Sequence, residues 1–133
     1  MKLIILSAII IIESSGNPLA YNERSKARGL CQITPIVLKE WNNFHAKEKH
    51  SEGDLFQPAV NKKIASWYLN KRIPQMLKHY GLQDTVSNRL IAYNWGIGRL
   101  KTWYDRGGFA NHLPKETKDY LEKYRKLTKG GTK

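Results

Sequence analysis

The chain has 133 residues, of which 41% are hydrophobic and 26% charged, a balance that suits one globular domain with a single core and excludes a disordered chain. Its 23 Lys and Arg against 11 Asp and Glu leave a formal charge of +12, which attracts polyanions without selecting among nucleic acid, anionic lipid and acidic envelope polymers. A single cysteine, Cys31, excludes an intrachain disulfide framework and reads as a small apolar core residue.

In chain order, Lys2 and the apolar run Leu3 to Ile12 have two readings. One is the charged start and apolar middle of a secretory signal; the other is a wholly buried helix, apolar on every side. The run is far short of the roughly 20 residues of a membrane span. The polar, turn-forming Glu13-Ser14-Ser15-Gly16-Asn17-Pro18 that follows lacks a small-x-small cleavage site before the acid, which favours the core helix. Leu19 to Gly29 is irregular. Thr34-Pro35 then starts a helix, with Thr as cap and Pro at the first position, carrying Ile36, Val37, Leu38 and Trp41 to about Asn43. Residues 45–56 are polar, contain Gly53 and read as a loop.

Pro58 opens a longer helix through Val60, Ile64, Trp67, Tyr68, Leu69, Ile73, Met76, Leu77 and Tyr80. Pro74 is expected to kink or split it, and Gly81 to stop it. Asp84 is a cap for the next helix, with Val86, Leu90, Ile91 and Tyr93 on its apolar side and Gly96 and Gly98 as stops. A short helix over Leu100 to Tyr104 precedes Gly107-Gly108. A last one begins at Pro114, with Glu116 at the positive end of its dipole and Tyr120, Leu121, Tyr124 and Leu127 recurring at helical steps. No segment alternates as a strand and no repeat is evident. The expected fold class is all-α, a bundle of five to seven helices forming one domain over residues 1–128, with residues 129–133 a flexible basic tail.

Glu13 is the chemical oddity. It ends an apolar run, where a carboxyl's charged form is disfavoured and its pKa is expected to rise. A protonated acid near neutral pH is what glycoside cleavage needs for the departing sugar oxygen. Local sequence alone favours the plainer reading, an acid that merely ends a helix and meets water.

Four blocks occur in order: Glu13-Ser14-Ser15-Gly16-Asn17-Pro18, Ala27-Arg28-Gly29-Leu30-Cys31-Gln32-Ile33-Thr34-Pro35, Ala92-Tyr93-Asn94-Trp95-Gly96, and Leu113-Pro114-Lys115-Glu116-Thr117-Lys118-Asp119-Tyr120. Together they resemble the transglycosylase SLT domain, the lysozyme-like family of lytic transglycosylases. The resemblance implies a lysozyme-like α-helical fold and cleavage of the β-1,4 bond between N-acetylmuramic acid and N-acetylglucosamine. It makes Glu13 the general acid/base and places Gln32 in the cleft beside it. Tyr93 and Asn94 match the pair that faces the catalytic carboxyl, and Glu116 an acid bordering the substrate groove. A serine near the substrate's N-acetyl group corresponds either to Asn22 or to Ser25. Cys31 stands where the family usually has methionine.

The resemblance further implies a route needing one acid. Glu13 protonates the leaving oxygen, the muramic N-acetyl group assists at the sugar carbon, and Glu13 then takes the C6 hydroxyl proton as a 1,6-anhydro ring closes. Neither a cofactor nor a metal is expected, since His45, His50, His79 and His112 lack paired ligand spacing and read as surface or loop residues. The open alternatives are a lysozyme-type hydrolase on the same fold and a non-catalytic peptidoglycan-binding protein. The expected partners are peptidoglycan strands and anionic envelope polymers, the latter through Lys62, Lys63, Lys71, Arg72 and Lys78 and the basic last helix. Nucleic acid, for which no motif is present, and stable membrane insertion are not expected. A monomer in the cell envelope or secreted is the corresponding expectation.

Overall fold

A computed structural model describes residues 3–129 and is all-α, with β pairing among these residues confined to isolated bridges at Tyr21–Arg28 and Arg28–Ile33. The chain divides into two compact units, Ile5–Tyr68 and Met1–Ile4 with Leu69–Lys133. Among the described residues no helix is long and apolar enough to cross a membrane.

The first unit begins with α1 (Leu6–Ser14). The helix is not wholly buried as expected: Ala8 and Ile9 are inside, whereas Ile5 and Ile11 are 42% and 52% exposed. A helix turns one stripe inward even when every side is apolar, so composition alone overstates burial. Ser15 in the left-handed region (φ +54°) ends α1, its N–H returning to the Ile11 carbonyl, and Gly16 follows at φ +82°. α2 (Pro35–Phe44) forms as its sequence dictates, with the Thr34 hydroxyl accepting the Val37 N–H and Val37, Leu38 and Trp41 buried, but Ile36 faces out. The expected loop at 45–56 is corrected in its second half. Ser51 and Asp54 form a capping box over a 3-10 turn, Glu52–Phe56, that seats the fully buried Leu55. α3 (Pro58–Trp67) packs on this turn and on α1 and buries Asn61, Ile64 and Ala65.

Between α3 and α4 (Ile73–His79) the backbone takes up five residues of π-helix, Tyr68–Arg72. This is the break that Pro74 requires, because proline has no N–H to give the preceding turn and crowds its carbonyl. Gly81 (φ +70°) closes α4 as expected, with the Leu82 N–H bonded to the Leu77 carbonyl at 2.8 Å. Tyr80 at its end is exposed.

The cap of α5 (Val86–Trp95) is Thr85, whose hydroxyl accepts the Asn88 N–H at 3.0 Å, and not Asp84. Asp84 is taken by the buried Arg89, with Nε to Oδ1 at 2.6 Å and Nη2 to Oδ2 at 3.0 Å. Arg89 Nη1 also donates to Asn70 Oδ1, which accepts the Ile4 N–H at 2.8 Å. Gly96 (φ +104°) ends α5, but Gly98 is not a stop: α6 (Ile97–Asp105) starts before it, three residues earlier than expected. α7 (Lys115–Thr128) follows Pro114. Its buried stripe is Thr117, Tyr120, Tyr124 and Thr128, while Leu127 is 44% exposed and Leu121 half-buried. Beyond Lys129 the expected tail lies outside the described residues.

Candidate active site

In the first unit, the sharp stop at Ser15 and Gly16 leaves Glu13 half-buried in the last turn of α1. The Cys31 thiol is pushed up to about 12, first by burial and then by the negative charge of Glu13. The acid thus lies within electrostatic reach of the turn that carries Gln32.

That turn is tightly made. Arg28 and Ile33 exchange two backbone bonds at 3.0 Å, and the four residues between them close through the Gln32 N–H to the Gly29 carbonyl. Gly29 (φ +82°) and Gln32 (φ +55°) are both left-handed, a strained state for glutamine. Gln32 Nε2 donates to the carbonyls of Ala20 at 3.3 Å and Gly29 at 3.1 Å, so its amide ties two loops together. Beneath sits Asn61 on α3, fully buried, whose Oδ1 accepts the Cys31 N–H while Nδ2 donates to the carbonyls of Arg28 and Leu55, each at 2.8 Å. A Cβ on Gly29 would stand 2.3 Å from both Asn61 Nδ2 and the Leu55 carbonyl. Only glycine fits. Sequence reasoning missed Asn61 because a polar residue amid lysines on a helix reads as solvent-facing.

Asn22 and Ser25, the two candidates for the family's serine, share one exposed loop. Asn22 Oδ1 accepts the N–H groups of Arg24 and Ser25, and Ser25 Oγ accepts that of Ala27 at 3.2 Å. Asn22 is thereby the turn-former, and Ser25 carries the loop's hydroxyl.

In the second unit, Tyr93 and Asn94 lie half-buried in the last turn of α5. Asn94 Oδ1 accepts the hydroxyl of Thr117 at 2.8 Å, and Thr117 is 1% exposed in the first turn of α7. This bond pins the start of α7, with the exposed Glu116, to the end of α5. Asn94 and Glu116 are thus brought to neighbouring helix ends. Thr117 is a further residue that sequence reasoning passed over, although it stands in the quoted Pro114-Lys115-Glu116-Thr117 block.

Among the described residues no three His, Cys, Asp or Glu side chains gather as a metal-binding group. His79 and His112 are exposed, as read. His45 and His50 are half-buried and structural. His45 stacks on Trp41 with ring centres 3.6 Å apart, and His50 Nδ1 lies 3.2 Å from Asp54 Oδ2.

The family model for the transglycosylase SLT domain matches residues 2–113 of this chain. The chain belongs to the transglycosylase SLT domain family. Three of the four sequence blocks lie within the match, and the fourth begins at its last residue. No curated protein and no solved structure shows significant similarity to it. Membership gives this SLT domain a function of the lytic-transglycosylase type on peptidoglycan at family level, with peptidoglycan as its partner and the cell envelope as its place of action.

Proposed function

We propose that this SLT domain cleaves the β-1,4 bond between N-acetylmuramic acid and N-acetylglucosamine without water, leaving 1,6-anhydro ends, with Glu13 as its one general acid/base. The observation that carries the reading is the position of Glu13, in the last turn of an apolar helix and within electrostatic reach of the strained Gly29–Gln32 turn. Strain held by buried hydrogen bonds is characteristic of sites that must keep one geometry.

In this reading Glu13 protonates the departing glycosidic oxygen as the muramic N-acetyl oxygen bonds to the anomeric carbon. The carboxylate so formed then removes the C6 hydroxyl proton, and that oxygen displaces the N-acetyl group to close the anhydro ring. The proton returns to Glu13, so the cycle needs no cofactor, metal or second carboxylate. Gln32 acts as a positioning residue through its bonds to Ala20 and Gly29. Tyr93, Asn94 and Glu116 are assigned to the glycan, and Ser25, in preference to Asn22, to the N-acetyl group. Residues 1–128 act as one catalytic domain, monomeric, held on the envelope by its surplus of basic groups.

The test is mass spectrometry of the fragments released from purified peptidoglycan. Anhydro ends with the parent chain and none with Glu13→Gln are expected. Free reducing ends would assign a lysozyme-type hydrolase instead, and binding without release a non-catalytic wall protein.

A further inference from the structure

The second unit holds a hollow of about 560 Å³ lined by Trp95, Arg99, Thr102, Trp103, Arg106 and His112, none of which the proposed chemistry uses. Its volume falls in the range typical of small-molecule sites. Thr102 and Trp103 on α6, with Arg106 just after it, stand three, four and seven residues from Arg99 and share one face with it, and Trp95 at the end of α5 joins the lining. Leu100 points the other way and is fully buried. Gly98 also lines the hollow, and a Cβ there would meet nothing within 4 Å.

The hollow's aromatic wall is set in advance. Trp103 Nε1 donates to the Phe109 carbonyl at 2.8 Å, and its ring lies edge-on to Tyr104 with centres 4.8 Å apart. None of the lining residues is acidic, and the nearest acid along the chain, Asp105, is held by Lys101 in an ion pair. Two half-buried indoles offer apolar faces for the C–H face of a sugar ring, and two exposed guanidiniums offer forked donors for a carboxylate. Trp95 follows directly on Asn94, so the hollow begins where the residues assigned to the glycan end.

We propose that this hollow is a second glycan seat, selective for a sugar unit bearing a free carboxylate, with the ring on Trp95 and Trp103 and the carboxylate on Arg99 and Arg106. The assignment rests on the reading of peptidoglycan as substrate, but not on Glu13 as catalyst. The carboxylate comes either from the lactyl ether of muramic acid or from the stem peptide attached to it.

The test is calorimetric titration of the full chain carrying Glu13→Gln, which prevents turnover, with four probes. These are chitotetraose, the peptide-free tetrasaccharide of alternating N-acetylglucosamine and N-acetylmuramic acid, its peptide-bearing form, and a phosphate-linked polyol polymer. A muramyl probe is expected to bind roughly ten-fold more tightly than neutral chitotetraose, the scale of one charge-assisted contact. Arg99→Gln with Arg106→Gln removes that preference and leaves chitotetraose affinity unchanged. The indole N–H resonances of Trp95 and Trp103, assigned by Trp→Phe variants, shift on binding. Preference for the peptide-free form places the lactyl carboxylate in the hollow, and preference confined to the peptide-bearing form places the stem peptide there. Equal affinity for neutral and carboxylated probes, a preference that survives the double variant, or binding of the phosphate polymer alone overturns the proposal. Failure of the hollow leaves anhydro product formation by the parent chain intact, and loss of that product leaves the hollow's binding intact, so the two readings fail separately.

Discussion

The side-chain oxygen of Asn61 accepts the backbone N–H of Cys31 at 2.8 Å, across thirty positions of sequence, at a point where both residues are fully buried. With its amide nitrogen on the carbonyls of Arg28 and Leu55, one side chain bonds three backbone groups, and its bonds to the Cys31 N–H and the Leu55 carbonyl are buried. The conformation of the turn bearing Gln32 therefore depends on a residue of α3 that touches no substrate in the proposed reaction.

Asn61→Leu keeps the branched shape but leaves the Cys31 N–H and the Leu55 carbonyl without this partner, while the Arg28 carbonyl keeps the Ile33 N–H. An unsatisfied buried backbone group costs about 1–3 kcal/mol, so with two such groups a loss of at least roughly 2 kcal/mol is expected in urea unfolding. Gly29→Ala at the same contact meets the Asn61 amide and the Leu55 carbonyl and is expected to be as damaging. A loss below about 1 kcal/mol in both variants would contradict this account of the turn.

Thr117→Val removes one hydroxyl from Asn94 and little else, since the two side chains share a shape. The expected stability loss is about 1 kcal/mol, with Thr117→Ser recovering most of it. If Asn94 contacts glycan, release of fragments falls further than stability does, and the serine variant restores both. Valine at full activity would separate this bond from the site.

Asp54 and Glu48 give the stability of the first unit an acid limit. The Ser51 backbone N–H and then His50 hold the Asp54 carboxyl below its ordinary 3.8, and Lys63 and then His50 hold Glu48 below 4.5. A carboxyl depressed in the folded state stabilises it above the unfolded value, and that contribution is lost as pH falls through the folded value. The melting temperature of Asp54→Asn is therefore below that of the parent at pH 7, and the gap closes as pH drops below about 4. A gap that widens in acid would reverse the sign argued here.

Cys31 is expected to be inert. Burial and the neighbouring Glu13 push its thiol up to about 12, so at pH 8 almost none is thiolate in the folded chain. Iodoacetamide is expected to label it only in denaturant, and rapid labelling of the native protein would contradict its placement.

What was legible in the sequence is what local chemistry decides. Thr34-Pro35 starts α2 because both residues act within one turn, and Pro74 interrupts its helix because the missing donor belongs to Pro74 itself. Glu13 was legible as an oddity for the same reason, an acid ending an apolar run. Asn61 was not, since its partners lie 30 and 33 positions away in sequence. Asp84 reads as the cap of α5, but the buried Arg89, five positions on, takes its carboxylate and Thr85 caps the helix instead. Arg99, Trp103 and Arg106 have helical spacing, but starting α6 at Leu100 instead of Ile97 leaves Arg99 outside it. The helix boundary concealed the hollow.

The most direct measurement is the mass spectrum of fragments released from purified peptidoglycan by the parent chain and by Glu13→Gln. Fragments ending in 1,6-anhydro muramic acid from the parent, and none above background from the variant, are the predicted result. Reducing ends in place of anhydro ends, or anhydro ends released at an undiminished rate by Glu13→Gln, would contradict the account.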